Sequence, residues 1–483
     1  MSNFAALVDL IPEAVLLGGA LVCCTVAAIS RRATVRVYQG IVGVTLLGTT
    51  ISALVYLRNM PRDGYVAYSD AIVVDRYAVF LVPTLCAFTL FTVLAGDSLE
   101  DRIRPHLGEY HALLLAATLG AVLLVSAREM IAFYIALELL SVSLYVLVGI
   151  VKTDARGSEA AFKYLIIGAA SSAVLLYGLA ILYGLTGETD LVAVGTTLTH
   201  NTGASALGLT LVLAGLCFKL GAVPFHQWVP DVYEGASAPV AGFIATLSKT
   251  AGFAIIARVA VTALPASSSN WTALLAIISA ATMVYGNVVA LAQRDVKRLL
   301  AYSSIGQAGF ILLGLLAFHQ DQQGISAMLF YLFTYGISVV GVFAVVAYLD
   351  GAGMDSDLES YRGLSQRNPI AAATLGLGMV SLVGIPPLIG FFAKFFIFQA
   401  AVIAGYAWLV LIALTMTVVS AGYYLRVLKV VYVDPPADDD EPLDRPAWTL
   451  AGAIAVCGLA MVGLGAAAQP LFALATGGGG QIH

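Results

Sequence analysis

The stretch that decides the fold reads LAGLCFKLGAVPFHQWVPDVYEG and runs from Leu213 to Gly235. Its apolar helix meets Pro224, which removes a backbone hydrogen-bond donor and clashes with the preceding helical turn. Hydrocarbon cannot satisfy the backbone groups that such a break sets free, so the broken helix must face protein or water. Lys219 lies just before the break, and an ionisable residue within an apolar segment is a candidate functional residue by default.

A second apolar stretch is interrupted in the same way. It reads VSLVGIPPLIGFFAKFFIF from Val380 to Phe398, and it places Pro386 and Pro387 before Lys394. Paired Pro/Gly interruptions at corresponding positions in two halves of a chain indicate a transport path. The sequence therefore predicts two broken helices, each with a lysine beside its break, that belong to such a path.

The composition is that of a membrane protein. Of the 483 residues, 60% are hydrophobic and 11% are charged, whereas soluble domains carry roughly 25% charged residues. We therefore expect an all-α polytopic membrane protein, in which each spanning helix needs roughly 20 apolar residues. The fourteen spans predicted on this basis are 9–29, 36–57, 75–96, 109–126, 129–151, 158–184, 205–227, 238–263, 270–292, 297–318, 324–349, 369–402, 406–430 and 448–475.

The basic residues test this count and orient the chain. Odd-numbered loops between the predicted spans hold fifteen of them: Arg31, Arg32, Arg36, Arg102, Arg104, Lys152, Arg156, Arg294, Lys297, Arg298, Arg362, Arg367, Arg426, Lys429 and Arg445. Even-numbered loops hold five: Arg58, Arg62, Arg76, Arg128 and Arg258. Because positively charged loops stay on the cytoplasmic side, we expect the odd loops there. Both termini then lie on the opposite side of a bacterial plasma membrane or an organellar inner membrane.

The remaining four basic residues lie inside apolar runs, and all are lysines: Lys163, Lys219, Lys249 and Lys394. Arginine stays protonated, whereas a buried lysine can gain and lose a proton. Each charge at the bilayer centre costs roughly 2.5–3.5 kcal/mol on insertion scales, so we predict a proton-transfer role for these lysines. The alternative is that they snorkel from helix ends. It suits Lys163 best, because this residue is close to the start of its span.

Glu138 is the one acidic residue near the middle of an apolar run. An unpaired buried carboxylate is costly, so we expect it to pair with one of the lysines; a protonated glutamate bound to a neighbouring helix is the alternative. His226 follows the first break, and histidine titrates near neutral pH, which makes this residue a candidate proton relay. A structural, hydrogen-bonding histidine explains it equally well.

Cofactor chemistry is not expected in this chain. The five cysteines are Cys23, Cys24, Cys86, Cys217 and Cys457. All lie in apolar runs, and none has an iron–sulfur or zinc ligand spacing. The sequence also has no P-loop and no GxGxxG fingerprint in a strand–helix context. We therefore predict no cofactor, no metal site and no nucleic-acid partner.

Four long motifs resemble one known family. FKLGAVPFHQWVPDVYEGA, ATLSKTAGF, DVKRLLAYSSIGQAGF and GIPPLIGFFAKF are similar to segments of the antiporter-like membrane subunits of respiratory complex I, an NADH-quinone oxidoreductase. The similarity covers roughly residues 105 to 430. DVYEGA, together with Lys249 and Lys394, resembles subunit N, the ND-two type. Gln307 departs from the pattern, because related chains often have histidine at that position.

The resemblance implies a fold with two inverted five-helix repeats. They comprise predicted spans four to eight and nine to thirteen, and each contains a broken helix in fourth place. Three N-terminal helices precede the repeats, and an acidic loop with a C-terminal helix follows them. The corresponding domains are 1–104, 105–263, 264–433 and 434–483.

The resemblance also implies a chain of protonatable residues along the membrane midplane. Glu138 would pair with Lys219, and Lys163 would modulate that lysine. Lys249 would bridge to Lys394, which would serve the second half-channel. None of these roles follows from composition or spacing alone.

The function implied is that of a proton-translocating subunit of a complex I-like quinone oxidoreductase. Its partners would be membrane lipid, other membrane subunits, and the flavin and iron–sulfur subunits that carry the electrons. The closest alternative is a cation/proton antiporter subunit of the same fold that works without redox partners. A third interpretation is a membrane scaffold whose lysines bind lipid headgroups. This third interpretation predicts lysines near helix ends, whereas three of the four lysines lie deeper in their apolar runs.

Overall fold

Helices form nearly all of the structure, as the long apolar runs predict. The computed structural model describes residues 10–30, 33–61, 64–68, 70–198, 203–263, 269–318, 323–436, 443–479 and 482. The helices of eight or more residues are α1 (Ile11–Ile29), α2 (Val35–Asn59), α3 (Arg76–Ala95), α4 (Leu107–Ser126), α5 (Met130–Val148), α6 (Ala155–Thr186), α7 (Gly203–Leu220), α8 (Trp228–Gly235), α9 (Ala238–Thr262), α10 (Ser269–Ala290), α11 (Val296–Ala317), α12 (Gln323–Gly351), α13 (Pro369–Val383), α14 (Ile389–Ile403), α15 (Ala407–Tyr432), α16 (Trp448–Ala466) and α17 (Ala468–Gly479).

Short elements connect these helices. The shorter helical segments are Gly96–Leu99, Glu100–Ile103, Arg104–His106, Leu191–Thr197, Leu358–Tyr361 and Leu364–Arg367. One hairpin pairs β1 (Tyr65–Ala67) with β2 (Ile72–Val74) in antiparallel register, with Tyr65 opposite Val74.

The predicted spans correspond to helices of the structure. Twelve helices among the described residues are long and apolar enough to cross a membrane. One of them, the 51-residue helical run Arg76–Ser126, contains both α3 and α4 and therefore two of the predicted spans. The two 15-residue helices α13 and α14 together form one more. The prediction of an all-α polytopic membrane protein with about fourteen spans is thus confirmed.

The first break interrupts the predicted span 205–227. Helix α7 ends at Leu220, Gly221 takes a left-handed conformation with φ of +69°, and α8 begins at Trp228. A helix end leaves backbone groups without partners, and side chains satisfy some of them here. The Trp228 indole donates to the Phe218 carbonyl at 2.9 Å, and Thr282 of α10 accepts from the amide of Val223 at 3.0 Å. The break is therefore only partly enclosed by protein: Gly221 and His226 are buried, whereas Pro224, Phe225 and Gln227 are exposed.

The second break separates α13 from α14 and lies in the corresponding span of the second half. Gly384 ends α13 with φ of +89°, and Ser381 Oγ accepts from the amide of Gly390 at 3.3 Å. Each break lies in the fourth span of one of the two expected repeats. The division of the chain into repeats and terminal segments stays a prediction.

The last predicted span, 448–475, is wrong in one respect, because it consists of two helices. Helix α16 ends at Ala466 and α17 begins at Ala468. Pro470 explains the interruption, since a proline removes the hydrogen bond to the carbonyl four residues earlier and clashes with it. That carbonyl belongs to Ala466. The acidic loop expected before this span falls on residues 437–442, outside the described residues.

Two helices form the centre of the bundle. The apolar parts of α9 and α11 are completely buried. Helix α9 contains a π-helical turn at Ile244–Ser248, directly before Lys249. Such turns are frequent at functional sites. The fold thus surrounds the lysine-bearing helix α9 with protein on every side.

Candidate functional site

Lys219 lies in the last turn of α7, next to the first break, with 4% of its surface exposed. Its Nζ atom donates a hydrogen bond to Ser141 Oγ of α5 at 3.0 Å. Its aliphatic stem packs against Gly252 of α9, where an added Cβ would lie 3.4 Å from Lys219 Cγ. The ammonium group is therefore held between α5 and α9 with a hydroxyl group as its partner.

Glu138 lies one helical turn before Ser141 on α5 and is half-buried. Ser172 of α6 donates a short hydrogen bond to its Oε1 atom. The structure does not bring Glu138 and Lys219 into the expected ion pair, because each is bound to a serine hydroxyl instead. The two groups are thus bound to two different serines, Ser172 and Ser141.

Lys163 of α6 is the least buried of the four lysines, with 43% of its side chain exposed. It forms ion pairs with Glu159 at 2.8 Å and with Asp231 of α8 at 3.0 Å. Its direct partners are therefore carboxylates, and any influence on Lys219 would act through space. This half-exposed position agrees with the alternative that Lys163 reaches toward a helix end.

A charged network that sequence reasoning missed continues from Lys163 into the second half of the chain. Asp231 also lies 3.3 Å from Arg298 of α11, and Arg298 in turn lies 2.5 Å from Glu234. Asp231 and Glu234 are three residues apart on α8, so they share one face of that helix. This spacing, within the stretch VPDVYEG, is the feature of the sequence that could have predicted the network.

Lys249 is 4% exposed and follows the π-helical turn of α9. Its Nζ atom donates to the carbonyl oxygen and to the Oγ atom of Ser304 on α11, at 2.5 Å each. It also lies 5.8 Å from the ring centre of Tyr335 on α12, which is within cation–π range. The described partners of this lysine are a serine and an aromatic ring, not a carboxylate.

Lys394 lies on α14 just after the second break and is 5% exposed. Its Nζ atom donates to the Val383 carbonyl at 2.8 Å and to Thr417 Oγ1 at 3.5 Å. The ring centre of Phe310 lies 4.8 Å away. The break thus supplies an otherwise unpaired helix-end carbonyl as a partner for the lysine.

A small cavity with a mainly polar lining, about the size of one water molecule, lies beside Lys394. Tyr335, which faces Lys249, and Lys394 both line it. Gln307 also lines it and accepts a short hydrogen bond from Tyr331. A polar cavity of this kind can hold water that bridges buried groups.

His226 lies in the first break and is buried. Its ring packs edge-on against Tyr285 of α10, with 4.4 Å between ring centres. No hydrogen bond links it to the four lysines within the described residues. The relay role of His226 stays a prediction.

An open polar cleft of about 1020 Å³ lies on the odd-loop face of the bundle. Its charged lining residues are Arg102, Asp154, Arg156, Glu234, Lys297, Asp350 and Asp355. Because Glu234 belongs both to this cleft and to the network that contains Lys163, charged groups lead from the cleft toward the first broken helix.

The count of basic residues in even-numbered loops was wrong for Arg258. This residue lies inside helix α9 and not in a loop. Its guanidinium nitrogens lie 2.8 and 3.3 Å from the two oxygens of Asp75, and one of them donates to the Val125 carbonyl at 2.7 Å. The two side chains are 1% and 0% exposed. An arginine within an apolar run needs such a partner, and the run AIIARVAV around it was the missed signal.

Comparison with known sequences places the chain in one family. It matches the family model described as NADH:quinone oxidoreductase/Mrp antiporter, TM, over residues 127–420, which is more than half of the chain. It is 40% identical over 454 residues to NAD(P)H-quinone oxidoreductase subunit 2 of Trichodesmium erythraeum, covering 91% of this chain and 85% of that protein. It is 41% identical over 418 residues to NADH-quinone oxidoreductase subunit N 2 of Symbiobacterium thermophilum, covering 83% and 82%.

Comparison with solved structures agrees. A chain of respiratory complex I from Thermus thermophilus with bound aureothin superposes with a TM-score of 0.82 at 32% identity. The superposition covers 97% of this chain and 100% of that one. The chain therefore belongs to the family of antiporter-like membrane subunits of NADH:quinone oxidoreductases and Mrp antiporters, and within it to subunit N of NADH-quinone oxidoreductase, a translocase complex.

Proposed function

We propose that this chain translocates protons through its buried lysines, driven by redox chemistry in partner subunits of a complex I-like NADH-quinone oxidoreductase. The observation that supports the proposal is the chemistry of the partner of each deeply buried lysine. Lys219 binds a serine hydroxyl, Lys249 a serine hydroxyl and carbonyl, and Lys394 a backbone carbonyl. None of these partners holds the lysine in its charged form.

A serine hydroxyl oxygen accepts a hydrogen bond from an ammonium group and equally from a neutral amine, because both carry N–H donors. A carboxylate partner would favour the ammonium form alone. The hydroxyl therefore supports a lysine that is loaded with a proton and then unloaded. The buried pair of Arg258 with Asp75 is the contrast within this chain, because arginine cannot release its proton.

Glu138 is the group that would drive loading and release at Lys219. Their attraction depends on their separation, with an effective dielectric constant of about 20 as a guide. Approach of Glu138 favours protonated Lys219, whereas retreat leaves desolvation to favour the neutral amine. The two titrations are then coupled. Motion at the break after Leu220 would change the separation and so link proton transfer to conformational change elsewhere.

The route proposed for protons follows the polar groups. The cleft on the odd-loop face would admit water from the cytoplasm, and the network from Glu234 to Lys163 would conduct charge toward Lys219. From Lys249, protons would pass by Tyr335 and the cavity to Lys394. His226 would be an additional relay at the first break.

The electrons would stay in other subunits. We propose that this chain carries no flavin, haem or iron–sulfur cluster, and that it assembles with other membrane subunits and with the flavin and iron–sulfur subunits of the complex. Its place is the bacterial plasma membrane or an organellar inner membrane, with the odd loops cytoplasmic and both termini opposite. A cation/proton antiporter without redox partners would lack those flavin and iron–sulfur subunits.

The experiment isolates the complex through a tag on this chain, determines its subunits, and measures quinone-linked proton pumping in proteoliposomes. Lys249→Met keeps the length of the side chain but removes the titratable group. Lys152→Met, at an exposed loop position, is the matched control. We expect flavin and iron–sulfur subunits in the complex and a loss of most pumping in Lys249→Met alone. Absence of those subunits, or equal pumping by both variants, would overturn the proposal.

A further inference from the structure

A deep apolar groove opens on the even-loop face of the bundle, away from the lysine row. It has a volume of about 1030 Å³ and lies between α2, α3, α12 and α17. Leu57 of α2, Phe80 of α3, Phe333 of α12 and Leu474 of α17 are among its lining residues. Leu57 is 43% and Leu474 65% exposed, so the groove opens toward the surroundings of the bundle.

Among the described residues, one charged side chain lines the groove, an arginine for which the structure shows no acidic partner in that part of the chain. Arg76 is the first residue of α3. Its Nε atom is buried and has no hydrogen-bond partner in the part of the chain that the structure describes. The carboxylate of the preceding residue, Asp75, is engaged by Arg258 in the buried pair. The Nε atom itself is enclosed, but the Arg76 side chain is partly exposed, so an anionic ligand in the groove would meet its terminal guanidinium nitrogens.

A second arginine lies at the same end of the bundle. Arg58 is in the last turn of α2, directly after the lining residue Leu57, and is exposed. Among the described residues, no carboxylate forms an ion pair with Arg58 or with Arg76. The mouth of the groove is therefore positive, while its walls are apolar.

We propose that this groove binds an anionic phospholipid, with its phosphodiester at Arg76 and one acyl chain along the groove. A guanidinium group binds phosphate oxygens in a bidentate manner. The lining residues of α3 run from Arg76 to Thr84, which corresponds to about 12 Å of helix at 1.5 Å per residue. That length holds the part of an acyl chain nearest the headgroup but is short for a helix of another subunit. The proposal is independent of the proton-transfer role of the lysines.

The terminal helix α17 is what completes the groove. Leu471, Leu474, Gly477 and Gly478 of this helix form one wall. A Cβ added at Gly477 would meet nothing within 4 Å, so the space beside this glycine is open. A leucine at this position fills the groove without a clash against the protein.

The test uses the assembled complex in detergent and phosphatidylglycerol that carries a photoreactive diazirine on one acyl chain. After illumination, labelled peptides are mapped by mass spectrometry. We expect label in the peptides of α3 and α17. Arg76→Gln loses a charge-assisted bidentate contact, so labelling should fall by about tenfold at equal probe concentration. Gly477→Leu should abolish it.

The matched controls separate this site from general lipid contact. Gly463→Leu on α16 adds the same side chain where a Cβ also meets nothing within 4 Å, and its labelling should equal that of the parent. Phosphatidylcholine carrying the same diazirine should label α17 less, and inorganic phosphate should not prevent labelling by phosphatidylglycerol. Unchanged labelling in both Arg76→Gln and Gly477→Leu would overturn the proposal. So would label in the isolated chain but not in the complex, because a neighbouring subunit would then cover the groove.

Discussion

The Nζ atom of Lys219 lies 3.0 Å from the Oγ atom of Ser141, one helical turn along α5 from the carboxylate of Glu138. Glu138 is bound by Ser172 of α6, so the lysine and the carboxylate each have a serine hydroxyl as their partner. Ser141 Oγ also bonds to the Leu137 carbonyl at 2.6 Å, which fixes its place. We therefore propose that Ser141 positions Lys219 for proton transfer.

Ser141→Ala removes that hydroxyl without removing either charge. Lys219 would lose the hydroxyl oxygen that accepts its hydrogen bond, so we expect pumping to fall several-fold while the complex still assembles. Ser143→Ala is the matched control, because Ser143 is buried on the same helix and bonds in the same way to the Leu139 carbonyl at 2.7 Å. The measurement is the rate of quinone-linked proton pumping by the two variants. Equal rates would count against a role for Ser141.

Lys394→Ala is expected to impair pumping while leaving assembly largely intact. The variant frees the Val383 carbonyl at the second break, but water in the adjoining polar cavity can satisfy it. The measurement is the number of protons moved per electron in proteoliposomes, with exposed Lys152→Ala as the control. A normal ratio in Lys394→Ala would exclude this lysine from the proton path.

Asp231→Asn tests the network between the two halves. Asp231 joins Lys163 to Arg298, and these partly exposed ion pairs contribute about 0–1 kcal/mol each to stability. We therefore expect little change in thermal stability but slower pumping, because the charges around Lys163 change. Asp101→Asn is the control, because Asp101 is exposed and belongs neither to the network nor to the polar cleft. Similar pumping by the two variants would show that the network is structural.

Arg258→Met should act on stability and not on pumping. It leaves Asp75 buried without its partner, and breaking a buried ion pair destabilises by about 3–5 kcal/mol. We expect less assembled complex, with unchanged pumping for each assembled complex. The double variant Asp75→Asn/Arg258→Met removes both charges and should regain part of the lost melting temperature. If the single variant assembles normally but pumps poorly, Arg258 belongs to the proton path instead.

Much of the fold was predictable because membrane spans depend on the length of apolar runs and on prolines. Pro224 and Pro386 mark the two breaks correctly. The interruption at Ala467 was missed although Pro470 marks it, because the apolar run continues through both helices.

The polar partners were harder to predict. The partner serines lie far along the sequence from the groups that they bind; they are Ser141, Ser172 and Ser304. Their contacts depend on how each helix is rotated about its axis. The four lysines could be identified because each stands alone in an apolar run. The buried pair of Asp75 and Arg258 was missed, because Arg258 was assigned to a loop by its charge.

The central claim is that Lys219 gains and loses a proton. Arginine retains the positive charge and the hydrogen-bond donors but cannot release a proton. The most direct measurement is therefore quinone-linked proton pumping by Lys219→Arg and Lys219→Ala in proteoliposomes, normalised to assembled complex. The account predicts that both variants assemble and that both lose most of their pumping. Parental pumping by Lys219→Arg, together with failure of Lys219→Ala to assemble, would contradict it and make Lys219 a structural charge.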